Sequence, residues 1–157
     1  VISMAVFYSN ETRGVADSPR NLIGNEAYGG RKRLFRATIP LDAPNLTSST
    51  AGSQVTTSDT IVLARVPAGY RFVEGVITTS VSLGSSTVAI GITGSTGKYR
   101  TAAVFTATDT PTRFGNVAAM AAGPLAAEEE IFITVAAANV PNTAGARLVV
   151  DLYFAGP

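Results

Sequence analysis

Residues 60–93, TIVLARVPAGYRFVEGVITTSVSLGSSTVAIGIT, decide the fold class of this chain. Three apolar runs of strand length lie in this stretch, and Pro-Ala-Gly and Gly-Ser-Ser separate them. The runs are rich in Val, Ile, Thr and aromatic residues, whose side chains fit a half-buried pleated surface. Proline presets φ for the first corner of a turn and glycine accepts positive φ, so the chain can reverse at residues 67–69. The stretch therefore predicts three successive antiparallel strands, a β-meander.

Further strands are predicted on both sides of this stretch. The segments are residues 34–41, 99–107, 112–117, 131–137 and 147–154. The last two alternate with a period of two, and the polar residues 139–145 between them predict a hairpin loop. Pro40 places the first segment at a sheet edge or ends it, because proline cannot donate a ladder hydrogen bond. The alanine-rich residues 116–127 are interpreted as an irregular crossover rather than a brief helix. Seven or eight such strands predict an all-β antiparallel sandwich with a jelly-roll-like body.

The start of the chain differs from the rest in composition. Residues 1–36 hold six of the twelve basic residues of the chain. Residues 10–30 show neither a strand period nor a helix period, so we expect an extended arm that orders on a partner, or alternatively a flexible terminus. Residues 42–58 are rich in Ser, Thr and Gly and predict a polar linker. We therefore divide the chain into an extended basic N-terminal arm and linker, residues 1–45, and a β-sandwich domain, residues 46–157.

The composition allows one domain with a real core, since the chain has 157 residues of which 46% are hydrophobic. Only 15% of the residues are charged and the net charge is +1, so Ser, Thr, Asn, Gly and Ala must form much of the surface. A surface with so few charges favours a protein that is covered in an assembly, either by other copies of itself or by other proteins. The alternative is an ordinary soluble β-domain. No apolar run is long enough for a transmembrane helix, so no membrane partner is predicted.

The sequence offers little for catalysis. It contains neither cysteine nor histidine, which excludes thiolate chemistry and the usual Ser-His and Cys-His pairs. Residues 94–98, GSTGK, lack the spacing of a phosphate loop, and the consecutive residues 128–130, all Glu, cannot face one ion and are interpreted as a solvated loop. Glu74 and Asp151 lie within predicted strands, and each is interpreted as part of a polar face or as the partner of a basic residue on a neighbouring strand. The candidates are Arg65, Arg71 and Arg147. We predict no enzyme activity, no cofactor and no metal site.

One basic cluster stands out, formed by Arg31, Lys32, Arg33 and Arg36. Its cationic groups can pair with carboxylates of a protein partner, neutralise nucleic-acid phosphates, or stay solvated. Because the net charge is only +1 and no basic stripe lies elsewhere, nucleic acid is the weakest functional alternative.

Residues 46–154 resemble the small all-β decoration, or cement, proteins of tailed-bacteriophage head-gene clusters. The segments that carry the resemblance are TIVLARVPAGYRFVEGVITTS, STVAIGITGSTGKYRTAAVFT and GPLAAEEEIFITVAAANVPNTAGARLVVDLYF. The resemblance implies a β-sandwich, often trimeric, on the exterior of an icosahedral head, where it ties neighbouring capsomers of the major capsid protein together. Residues 1–45 lie outside it.

Two functional hypotheses follow. In the first, residues 1–36, with the basic cluster Arg31, Lys32, Arg33 and Arg36, reach across the major capsid protein while residues 46–154 form a homotrimeric body in the virion. In the alternative, the sandwich is a head-fibre or receptor-binding module whose loops 80–86 and 139–145 touch a host glycan. An enzyme is the least favoured class.

Overall fold

The computed structural model describes residues 31–42 and 54–156. Within these residues the chain forms eight strands and one short helix, arranged in two four-stranded sheets. The elements are β1 (Arg31–Pro40), β2 (Thr60–Val66), β3 (Arg71–Thr79), β4 (Thr87–Ile92), β5 (Ser95–Val104), β6 (Thr112–Phe114), α1 (Val117–Ala121), β7 (Glu129–Ala136) and β8 (Arg147–Gly156). No helix in the described ranges has the length and apolar character needed to cross a membrane.

The strand order is that of a jelly roll. The first sheet has the order β1-β8-β3-β6 and the second has the order β2-β7-β4-β5, with all neighbours antiparallel. When the strands are counted outward from the β4–β5 turn, those with the same count on the two sides pair with each other. The pairs are β4 with β5, β3 with β6, β2 with β7 and β1 with β8. Eight strands in two such sheets define the jelly-roll form of a sandwich. The predicted all-β antiparallel sandwich is confirmed.

Three predicted strand pairings are wrong. The meander was expected to join β2, β3 and β4 in one sheet, but β2 and β4 lie in the second sheet and β3 lies in the first. The predicted hairpin of β7 and β8 is also absent, because these strands belong to different sheets. Apolar alternation specifies which face of a strand is buried, and it does not specify which strand supplies the hydrogen bonds.

The core lies between the two sheets and is filled mainly by the central strands. The inward residues of β7 and β8 are buried, namely Ile131, Ile133, Val135, Leu148, Val150, Leu152 and Phe154. Aromatic rings close one end of this core: the Phe72 ring centroid lies 4.6 Å from that of Tyr99 and 5.4 Å from that of Phe154. Edge-to-face and tilted contacts of this kind add to the stabilisation from apolar burial.

Strand β1 is part of the sandwich. It pairs with β8 along its whole length, from Arg31 opposite Gly156 to Pro40 opposite Arg147. The strand forms because Phe35, Ala37 and Ile39 alternate toward the core, where the Phe35 ring packs edge-on against Phe154 at 5.8 Å.

The predicted division at residues 45 and 46 therefore separates β1 from the sheet that contains it. In the described part of the chain β1 is an edge strand, as Pro40 indicated. Residues 1–30 and 43–53, which include the rest of the predicted arm and most of the predicted linker, lie outside the described residues.

The turn that joins β4 to β5 requires glycine at position 91. A Cβ atom there would overlap the carbonyl oxygen of Ser95 and lie 2.5 Å from the carbonyl carbon of Thr96. Both obstacles are backbone atoms, so no change of rotamer relieves the overlap.

We expect Gly91→Ala to lower the free energy of unfolding by about 1–3 kcal/mol, because the hairpin backbone must shift to admit the methyl group. Gly123→Ala is the matched control, since a Cβ at that exposed position meets nothing within 4 Å, and we expect it to change stability by less than about 0.5 kcal/mol. Urea denaturation of both variants measures the difference, and equal stabilities would contradict the constraint at Gly91.

Candidate functional site

The four predicted basic residues all lie on β1, but they divide between its two faces. Lys32 and Arg36 point away from the core, because they alternate with the inward residues Phe35 and Ala37. Arg31 and Arg33 lie at the start of the strand, where their side chains are exposed. The two pairs therefore have different surroundings.

Arg36 forms a bidentate ion pair with Asp151, which lies directly opposite it on β8. Its Nε donates to Oδ1 and its Nη2 donates to Oδ2, each at 2.7 Å. Asp151 is only 7% exposed, so the guanidinium covers a carboxylate that would otherwise be desolvated without a partner. The hydrogen bonds to Asp151 raise the pKa of Arg36.

Lys32 belongs to a second group on the same outer face. Its Nζ lies 2.7 Å from Oε1 of Glu74 on β3 and 4.3 Å from the ring centroid of Tyr153 on β8. Arg113 on β6 approaches the other oxygen of Glu74, with Nε at 3.6 Å from Oε2. The hydrogen bond from Lys32 lowers the pKa of Glu74, against the opposing effect of partial desolvation, and the charges of Lys32 and Arg113 lower it further.

These five side chains form what we call the outer-face charge cluster, which spans all four strands of the first sheet. Its members are Lys32, Arg36, Glu74, Arg113 and Asp151. The partners expected for Glu74 and Asp151, which were Arg65, Arg71 and Arg147, are wrong. Lys32 and Arg36 are thus paired with carboxylates within the chain, whereas Arg31 and Arg33 are not members of the cluster.

Arg33 and Arg31 have no ion-pair partner among the described residues. The Arg33 guanidinium lies 5.8 Å from the ring centroid of Tyr70, within range of a cation–π contact. Arg71, the first residue of β3, also has no ion pair in the described ranges and lies opposite Ala155, next to the end of β8 where Arg31 lies opposite Gly156. We call this end of the sandwich, marked by Arg31, Arg33 and Arg71, the basic end.

The opposite end of the sandwich carries acidic residues. Asp59 precedes β2 and accepts hydrogen bonds from the amide and hydroxyl of Thr56, which lower its pKa. Asp109 follows β5, and its amide donates to the carbonyl of Thr79 at the end of β3. We call this end, marked by Asp59 and Asp109, the acidic end. It also carries the exposed Arg147 at the start of β8, and the run Glu128–Glu130 lies toward the basic end, so the separation of charge along the strands is partial.

Two of the three consecutive glutamates at residues 128–130 form ion pairs with basic residues of other strands. Glu129 and Glu130 begin β7, and Glu130 pairs with Arg65 at 2.7 Å. Glu129 binds Lys98 and accepts a hydrogen bond of 2.6 Å from the hydroxyl of Tyr99. Burial raises the pKa of Tyr99, and the hydrogen bond to Glu129 raises it further. The prediction of a solvated loop holds only for the exposed Glu128.

Residues 94–98, GSTGK, are Gly94 of the β4–β5 turn and the first four residues of β5, and no helix follows them directly. The described residues contain no group of three acidic side chains placed to hold a metal ion. Arg31, Arg33 and Arg71 carry guanidinium groups, whose planar geometry suits bidentate binding of carboxylates, and Arg71 lies outside the predicted cluster. A sequence pattern could not have found Arg71, since it is adjacent to β1 only through β8.

Comparison with known proteins gives similarity of fold. No protein-family model and no curated protein sequence matches the chain. A chain in the cyanophage Pam1 capsid asymmetric unit aligns with a TM-score of 0.64 and 15% identity, covering 95% of this chain and 100% of that chain. A chain of the capsid of Ralstonia phage GP4 aligns with a TM-score of 0.57 and 16% identity, over 82% and 84% of the two chains. A chain of the acidic stable capsid structure of Helicobacter pylori bacteriophage KHP30 aligns with a TM-score of 0.54 and 12% identity, over 80% and 88%.

We expect Asp151→Asn to lower the free energy of unfolding by about 1–3 kcal/mol, because it removes the negative charge and replaces one of the two acceptor oxygens of the hydrogen bonds from Arg36 with an amide donor. Glu130→Gln is the matched control, since its ion pair with Arg65 is exposed on both sides, and we expect a change below about 1 kcal/mol. Urea denaturation at pH 7 compares the two variants. Equal effects would show that burial of Asp151 does not strengthen its pair.

The lowered pKa of Glu74 predicts a pH dependence of stability. A carboxyl group whose folded pKa lies below its unfolded value, about 4.3, stabilises the fold fully above that value, and the contribution is lost as the pH falls through the folded pKa. The stability difference between the wild type and Glu74→Gln should therefore shrink as the pH falls from 7 to 3. In a Lys32→Met background, the stability difference between Glu74 and Glu74→Gln at pH 7 should also be smaller. The hydrogen bond from Lys32 is the largest cause of the lowered pKa of Glu74. A difference that is constant with pH would contradict the assignment.

Proposed function

We propose that this chain is a structural protein of a bacteriophage virion, a decoration or cement protein that binds the exterior of the head. Its partner in this role is the major capsid protein, and it links neighbouring capsomers. The observation that carries the proposal is similarity to chains in three phage capsids, each of which is covered over at least 84% of its length. The similarity is thus between whole chains and not between this chain and one domain of a large protein.

The four predicted capsid-binding residues divide into two pairs, one with carboxylate partners in the described part of the chain and one without. Lys32 and Arg36 are paired with Glu74 and Asp151, so they stabilise the first sheet. Arg31 and Arg33 have no carboxylate partner in the described ranges and are exposed. We therefore assign capsid contact to Arg31 and Arg33, whose guanidinium groups are suited to bidentate binding of partner carboxylates. Residues 1–30, which precede them, are the proposed arm.

A homotrimer makes modest contacts sufficient for this role. Once one protomer is docked on a head, the other two bind at high effective concentration. Three weak sites then hold the assembly at an affinity that no single site provides. The proposed trimer is a closed cyclic assembly and needs no contact that propagates.

Deletion of residues 1–30 tests the arm while it leaves β1 complete. We expect the deleted protein to keep its number of protomers in sedimentation and its cooperative unfolding, and to lose most of its co-sedimentation with empty phage heads. The full-length chain is the control in the same tubes. Unchanged occupancy on heads would contradict the role of the arm. A wild-type monomer that ignores heads and binds host glycans on an array would overturn the proposal in favour of a receptor-binding module.

A further inference from the structure

Residues 117–127, VAAMAAGPLAA, contain no polar side chain and lie largely on the surface. We call them the apolar segment. Val117 is 80% exposed and Met120 is 43% exposed, the former being the most exposed large apolar side chain of the described residues. A contiguous exposed apolar stretch of this kind marks an interaction surface more often than a solvated one.

The apolar segment is held firmly at both ends, so its exposure is not a consequence of fraying. Ahead of α1, the side chain of Asn116 donates to the carbonyl of Gly97 at 2.7 Å, and within α1 Ala119 is buried. Near its C-terminal end, the amide of Leu125 donates to the carbonyl of Tyr70 at 2.8 Å, and the amide of Gly69 donates to the carbonyl of Leu125 at 2.8 Å.

These contacts place the apolar segment at the basic end. Tyr70 joins the two features, because its backbone binds Leu125 while its ring lies 5.8 Å from the guanidinium of Arg33. Arg71 follows Tyr70 directly, and residues 1–30 join the sandwich at Arg31. Apolar side chains, three guanidinium groups without ion pairs in the described ranges and the start of the proposed arm thus meet at one end. The exposed Glu128, which directly follows the apolar segment, is the single carboxylate without an ion pair among the described residues there.

We infer that the basic end is the face of the sandwich that docks on its capsid partner, with the apolar segment at its centre and Arg31, Arg33 and Arg71 at its border. The inference rests on the proposed function and adds a docking surface to it. The matching surface is a protein surface with an apolar patch bordered by carboxylates. That arrangement gives an interface with a desolvated centre and a polar rim.

Charge argues against a second copy of the same end as the occupant. A two-fold contact through the basic end would bring Arg31, Arg33 and Arg71 against the same residues of the other copy, and like charges across an interface disfavour association. A head-to-tail contact with the acidic end of another copy gives a ring where its rotation closes and an open filament where it does not, and the sedimentation mass of the protein without heads tests both. A different protein with surface carboxylates is the occupant that the charge distribution favours.

Val117→Asp tests the docking surface. The variant is expected to fold normally, because Val117 is exposed and an acidic residue in the first turn of a helix is well tolerated. Against empty heads we expect its apparent affinity to fall about tenfold or more, as for the loss of a central apolar contact. Met120→Gln should weaken binding in the same direction. Val104→Asp is the matched control, because Val104 is 53% exposed but lies on β5 toward the acidic end, and its affinity should equal that of the wild type.

The outcomes separate this inference from the proposed function. Failure of the wild-type protein to bind heads would contradict both the proposed function and the docking surface. Wild-type binding with unchanged binding by Val117→Asp, or with equal losses for Val117→Asp and Val104→Asp, would remove the docking surface alone. A change in the sedimentation mass of Val117→Asp without heads would assign the apolar segment to self-association and overturn the inference. Substitution of Arg31, Arg33 and Arg71 by glutamine should also reduce the salt dependence of head binding.

Discussion

The strict alternation of β8 is the constraint on which most of this structure depends. Its inward residues Leu148, Val150, Leu152 and Phe154 are buried between the sheets, and its outward Asp151 and Tyr153 support the outer-face charge cluster. The strand pairs with β1 on one side and with β3 on the other. A shift of one residue in either register would bring Asp151 into the core and expose the apolar set. The bidentate contact with Arg36 therefore helps to fix the register of β1, since it forms only when these two residues face each other.

Low total charge makes the position of each charged group informative. Five of the ten basic groups of the described sandwich form ion pairs with carboxylates, as in the pairs Arg36–Asp151 and Arg65–Glu130. Arg100 is an exception of another kind, because its half-buried guanidinium donates to backbone carbonyls, including that of Val88, and desolvation lowers its pKa. Groups without such partners are then concentrated at the two ends of the sandwich. A surface built in this way has little general attraction for charged partners and a strong local one at the basic end.

Sequence reasoning located the strands and could not assign them to sheets. The alternation of residues such as Ile131 and Ile133 shows one buried face, and that pattern is the same for either sheet of a sandwich. The pairing of Arg36 with Asp151 joins residues 115 positions apart, so no local spacing rule identifies it. For the same reason the basic cluster was treated as one unit, although the pleat of β1 sends Lys32 and Arg36 to the outer face. Arg71 and the apolar segment enter the surface only when the jelly roll brings distant turns together.

The two components of the basic end have separate physical roles in the proposed docking. Exposed guanidinium groups attract a carboxylate-bearing surface over about 8–10 Å at moderate salt, so they act on the rate of encounter and on orientation. Exposed ion pairs contribute little net affinity, because the charges lose hydration and the long side chains lose freedom when they pair. Burial of Val117 and Met120 removes apolar area from water and desolvates no charge. Residence time on the partner should accordingly depend on the apolar segment, whereas the basic residues set how quickly and in which orientation the sandwich arrives.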